Sequence, residues 1–180
     1  LNYLGREPRS AKPQDLAAAS ELLMKLRPYI RKFQSQPVTD LVNGNLCLSL
    51  GYSGDMTQAQ RTSDGAGKST RFEYRIPREG TTVWMDTMAI PVDAKHPEYA
   101  YAFINFVMRP QNMAAISNFT GYPTSNAKAR PSVDATMRNN PDIYLDEATY
   151  ARLIPGKDIP QADMRARMRT WTKFKTATAK

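Results

Sequence analysis

Leu46-Cys47-Leu48-Ser49-Leu50-Gly51-Tyr52-Ser53-Gly54-Asp55 sets a short apolar run against a glycine-flanked polar loop. Leu46–Leu50 has strand length and no helical period, which predicts a strand buried on both faces, as in the sheet of an α/β protein. Cys47 lies inside that run and is expected to be a buried structural thiol. As the single cysteine of the chain it forms no intramolecular disulfide.

Working outward from this stretch, the flanking segments read mainly as helix. Upstream, Lys12–Phe33 carries Leu16, Leu22, Leu23, Leu26 and Ile30 as an apolar stripe, with Pro28 dividing it. Pro37–Val42 makes a helical turn that stops at Asn43-Gly44, where glycine takes positive φ without steric cost. Downstream, Met56–Thr62 reads as a short helix and Ser63–Ser69 as a surface loop. Phe72, Tyr74 and Ile76 alternate with polar residues, Glu79-Gly80 turns the chain, and Val83–Ile90 reads as a second strand that ends at Pro91. His96-Pro97-Glu98 opens a helix that stops at Arg109-Pro110, and Gln111–Asn118 forms another before the turn Gly121-Tyr122-Pro123. Shorter helices follow at Val133–Asn139, Asp146–Leu153 and Ala162–Thr176. Helices alternating with strands argue for an α/β fold, but there are fewer strands than a whole sheet of that kind needs, so the chain reads as incomplete.

The 180 residues are 41% hydrophobic, enough for a core, and no stretch approaches the ~18 consecutive apolar residues of a membrane span. Leu1-Asn2-Tyr3-Leu4-Gly5 offers neither an initiator Met nor the pattern of a signal peptide, so the start reads as processed or truncated. The net charge of +8 is unevenly spread. Residues 161–180 hold Arg165, Arg167, Arg169, Lys173, Lys175 and Lys180 against Asp163 alone, and the rest is nearly balanced. A solvated helix face accounts for such a segment, with an RNA- or membrane-binding tail as the alternative.

Catalysis finds little to work with. One His, one Cys and no closely spaced ligand set argue against nucleophilic or metal chemistry, and the chain reads as no enzyme, with no catalytic residue, metal or cofactor. His96, beside Pro97, suits a capping or surface role. Gly65-Ala66-Gly67-Lys68-Ser69 suggests a phosphate loop, but Ser63 stands where that motif needs its first glycine, and an extended segment follows instead of a helix.

Two pairs join an aromatic ring to a carboxylate. Trp84 and Asp86, two apart on a predicted strand, point to the same face. An ammonium ion suits such a pair, since the acid supplies charge and the ring supplies cation–π attraction. A core Trp beside an Asp that binds backbone is the plainer alternative. Tyr52 and Asp55 lie beyond the carboxyl end of the predicted Leu46–Leu50 strand, where ligands of open α/β sheets gather, and Gly51 and Gly54 allow close backbone approach. Helix capping by Asp55 is the alternative there.

Gly51–Asp55, together with Gly80-Thr81-Thr82-Val83-Trp84-Met85-Asp86-Thr87-Met88-Ala89-Ile90-Pro91, resembles the putrescine- and spermidine-binding proteins of bacterial ABC importers. Phe103–Pro110, Gly121–Asn126 and Arg169–Lys173 continue the likeness in family order across essentially the whole chain. The resemblance implies a type II periplasmic binding protein, whose two α/β lobes, joined by crossing strands, close on an extended polyamine. Here it implies most of the second lobe plus a portion of the first: residues 1–73 in the second lobe, 74–121 crossing into the first, and 122–180 returning. It also implies a missing N-terminal half, a membrane permease as partner, a periplasmic location, and ligand contacts at Tyr52, Asp55, Trp84, Asp86 and Tyr122. Tyr52 replaces a Trp common in the family, which keeps an aromatic wall, reduces its area and adds a hydroxyl. Alternatives are a binder or sensor of another small amine, an amino acid, agmatine or an opine. A nucleic-acid module acting through residues 165–175 is a weaker reading, and no nucleic acid is expected as partner.

Overall fold

Proline opens three of the longer helices, because its missing N–H is unneeded in a first turn and its fixed φ suits one. In the computed structural model, which describes residues 1–177, these are α1 (Pro13–Leu26), α4 (Pro97–Val107) and α5 (Pro110–Thr120). The other elements are α2 (Val38–Val42), α3 (Ser53–Gly65), α6 (Ala135–Arg138), α7 (Glu147–Tyr150), α8 (Gln161–Thr176) and two short strands, β1 (Thr82–Val83) and β2 (Ile154–Pro155). They form two units.

One unit gathers Leu1–Gln34, Pro77–Trp84 and the chain from Arg152 onward. Its centre is the packing of α1 on α8. Phe174, buried, meets the Phe33 ring edge-to-face at 5.4 Å between centroids and the Trp171 ring, tilted, at 5.4 Å, and the edge-to-face contact adds attraction to the gain from burial. Arg167 donates to the carbonyls of Pro8 and Ser10, each at 3.0 Å, and the buried Asp15 accepts from Ser10 Oγ and Arg6. These bonds tie the first ten residues down. β1 and β2 pair in parallel, Thr82 with Ile154 and Val83 with Pro155. Gly80, at φ +87°, precedes this pair, and a Cβ there would lie 1.9 Å from the Arg152 carbonyl oxygen.

The second unit holds Ser35–Ile76 and Met85–Ala151. Ala114, Ala129, Val133 and Met137 form its core, with Met113, Ile143 and Tyr144 packed around them. Leu41 and Val42 of α2 are buried, as are Ala59 and Ser63 of α3, and α2 packs on α3. Lys68, the lysine of the apparent phosphate loop, donates to the Val42 carbonyl at 2.8 Å and to Asn43 Oδ1 at 3.2 Å. It caps the C-terminus of α2, where a cation is favoured by the helix dipole.

Three expectations are corrected. Leu46–Leu50 forms no strand, and Leu48 and Leu50 are 90% and 97% exposed. Cys47, in the same run, is exposed and not buried. Val83–Ile90 keeps strand character only at Val83, since the β1–β2 pair ends there. The physical reason is common to all three: an apolar run becomes a strand only where another strand supplies a hydrogen-bond ladder, and among the described residues these runs have none beyond Val83. Asp55 also moves, from loop to the first turn of a longer α3.

Candidate ligand-binding site

Tyr52, with extended backbone, is the N-cap of α3, and Asp55 Oδ2 accepts the Tyr52 N–H at 3.0 Å. Asp55 therefore satisfies one of the amides that a helix start leaves without a partner, and its negative charge suits that end of the helix. The capping alternative is realised, with the carboxylate held beside the Tyr52 backbone.

Tyr122 reaches the same turn from α5. That helix stops at Gly121, whose φ of +81° is the left-handed conformation that favours glycine, and a Cβ there would lie 2.7 Å from Thr57 Cβ. The ring of Tyr122 then lies against Gly54, where a Cβ would come within 2.5 Å of its carbons. Gly54 thus admits the Tyr122 ring, a role its reading as a point of ligand approach had missed. Buried Ser117 donates to the Tyr122 carbonyl. Gln58 and Arg61 of α3 donate to the Phe119 carbonyl at 3.1 and 3.0 Å, which binds the C-terminal end of α5 to α3.

Electrostatics places Asp86 in this group. The Tyr122 hydroxyl is pushed above the ordinary phenol range by burial first, then by the charge of Asp55, by Tyr52, by Asp86 and by Tyr74. A phenol near two carboxylates resists becoming a third anion, so it stays a neutral donor. Tyr74 is raised as well, by burial and by Asp142. The second unit therefore brings Tyr52, Asp55 and Tyr122 together at the start of α3, and it also carries Asp86 and Tyr74, whose charges act on the Tyr122 hydroxyl. Tyr74 was read in the sequence only as an extended-segment residue, although its alternation with Phe72 and Ile76 marked an inward face. Trp84 belongs to the other unit, directly after β1, and is 56% exposed. Among the described residues no cluster of His, Cys, Asp and Glu could hold a metal, and His96 is exposed beside Glu98, its Nδ1 3.2 Å from Oε1. No helix of the described residues is long and apolar enough to cross a membrane.

Two rings and the Asp55 carboxylate at one helix start, with the charge of Asp86 acting on the same phenol, are groups suited to a small organic cation. In comparison with known proteins, the family model of the bacterial extracellular solute-binding proteins matches residues 2–143. The chain belongs to that family. Among these solute-binding proteins, a putrescine/agmatine-binding protein of Pseudomonas aeruginosa is 44% identical over 179 residues, covering 99% of this chain and 49% of the relative. The putrescine-binding periplasmic protein PotF of Escherichia coli is 41% identical, covering 98% and 48%. The crystal structure of the spermidine/putrescine substrate-binding protein PotD of Streptococcus pneumoniae superimposes with a TM-score of 0.80 at 25% identity, over 97% of this chain and 52% of that one. The fold is thus part of an α/β solute-binding protein. The chain spans about half the length of the relatives it matches.

Proposed function

We propose that the chain is part of the periplasmic substrate-binding component of a polyamine ABC importer, which captures putrescine or spermidine and delivers it to a membrane permease. It is a binder and not an enzyme. What supports this reading is the meeting of Asp55 and Tyr122 at the start of α3, with the charge of Asp86 acting on the same hydroxyl, in a chain 41–44% identical to proteins named for putrescine binding. Asp55 and Asp86 receive ammonium groups, because an amine leaves water only if it finds charge and hydrogen bonds in exchange. Tyr52 and Tyr122 line the methylenes and offer cation–π attraction.

The putrescine/agmatine name of the 44% relative favours agmatine as a second candidate ligand. A thermal-shift panel on the full-length protein separates the readings. Putrescine, spermidine or agmatine should raise the melting temperature, while amino acids and uncharged diols should leave it unchanged. A shift with an amino acid and none with any polyamine would overturn the assignment.

A further inference from the structure

The charge of +8 divides along the two units. The unit built on α1 and α8 carries 16 Lys and Arg against 6 Asp and Glu, a net +10, while the unit that holds Asp55 and Asp86 carries 9 against 11, a net −2. The excess is concentrated on one helix face. Along α8, Arg165, Arg169 and Lys173 follow one another at four-residue spacing, and Met164, Met168 and Thr172 run beside them with the same spacing. Residues four apart on a helix share a face, so a stripe of cations lies alongside a row of two methionines and a threonine. Met164 and Met168 are 43% and 50% exposed, and among the described residues no carboxylate pairs with Arg165, Arg169 or Lys173. The opposite face is accounted for, with Phe174 buried and Arg167 bonded to the Pro8 and Ser10 carbonyls. Arg169 and Lys173 also rim an open cleft of about 330 Å³ between α1 and α8, whose floor includes the small residues Ala17, Ser20 and Ala166.

Cations that served only solubility would be scattered and interleaved with acids. A flexible apolar row beside an unpaired basic row is the pattern of a helix that lies on an anionic lipid surface, apolar side chains at the headgroup boundary and cations among the phosphates. We infer that the Met164–Lys173 face of α8 docks on anionic phospholipid headgroups and holds the protein at the membrane surface. A net charge of +10 on the docking unit supplies long-range attraction, and the four-residue repeat fixes which face lands. Surface attachment shortens the search for a membrane partner. The inference does not depend on which solute the other unit binds.

The full-length protein should be sedimented with vesicles of phosphatidylcholine alone and of phosphatidylcholine mixed with phosphatidylglycerol. Binding is expected only to the mixed vesicles, and it should weaken steeply with salt. Each Lys or Arg near an anionic surface contributes roughly fivefold, so R165Q/R169Q/K173Q should lower partitioning on the order of 100-fold. M164S/M168S, which keeps every charge, should weaken it less and leave the salt dependence in place. K12Q/R31Q/K32Q removes as many charges from the same unit but none from α8, and should have a much smaller effect. Circular dichroism and putrescine affinity, unchanged in every variant, would exclude misfolding. The inference is overturned if the protein ignores phosphatidylglycerol vesicles, if both triple variants behave alike, or if retention requires permease-containing membranes and not lipid, which would point to an acidic protein surface.

Discussion

Gly54→Ala tests the geometry at the heart of the candidate site. The added Cβ would come within 2.5 Å of the Tyr122 ring, whereas ordinary contact begins near 3.4 Å, so the ring must retreat by nearly 1 Å or α3 must tilt. Overpacking of this kind costs about 1–3 kcal/mol, while replacing glycine in a helix returns at most about 1 kcal/mol, so a net loss near 1 kcal/mol is expected. Ligand affinity should fall separately, because a displaced Tyr122 gives up about 1 kcal/mol of cation–π contact, roughly fivefold in Kd. Denaturant melts and calorimetric titration of the full-length protein measure the two effects. The decisive comparison is a double-mutant cycle: with Tyr122→Ala in place, the added methyl meets no ring, and Gly54→Ala should then be neutral or stabilising. An equal penalty with and without the Tyr122 ring, or unchanged affinity in the single variant, would refute the reasoning.

Asp55 caps α3 and is proposed to bind the ligand, and two substitutions separate the two roles. Asp55→Asn keeps an acceptor for the Tyr52 N–H and should leave stability within about 0.5 kcal/mol, while Asp55→Ala should cost about 1 kcal/mol in denaturant melts. Both should weaken polyamine binding at least tenfold, since each loses a charged hydrogen bond worth about 1.5–3 kcal/mol. Gly80→Ala, with a left-handed φ and the Arg152 carbonyl in the way, should cost about 3 kcal/mol and lower the melting temperature without touching the ligand residues. The raised pKa of Tyr122 means the folded protein holds that phenolic proton more tightly than the unfolded chain does. The stability it contributes is fully present below the ordinary phenol pKa and is lost as pH rises through the folded value, so Tyr122→Phe should flatten the alkaline fall in stability.

The helices were legible because their signals are local. Pro13, Pro97 and Pro110 open helices, and Gly44 and Gly121 adopt the positive φ that stops them. The strands were not, because a ladder is a property of two segments: Leu46–Leu50 and Trp84–Ile90 have strand composition, yet 82–83 with 154–155 is the pair that forms among the described residues. The same gap misplaced Cys47, whose exposure follows from the missing ladder. At the site, residue types were readable but proximities were not. Asp55, Asp86 and Tyr122 are far apart in sequence, and Gly54 gains its meaning only from the ring that lies on it. The charge division also escaped a linear reading, since the basic unit is assembled from three separate stretches of chain.

Calorimetric titration of putrescine into the full-length protein, wild type and Asp86→Asn, tests the central claim most directly. Saturable one-to-one binding is expected of the wild type and a loss of at least tenfold in the variant, since an amide cannot replace the charge an ammonium needs. Putrescine bound equally well by both, or by neither, would contradict it.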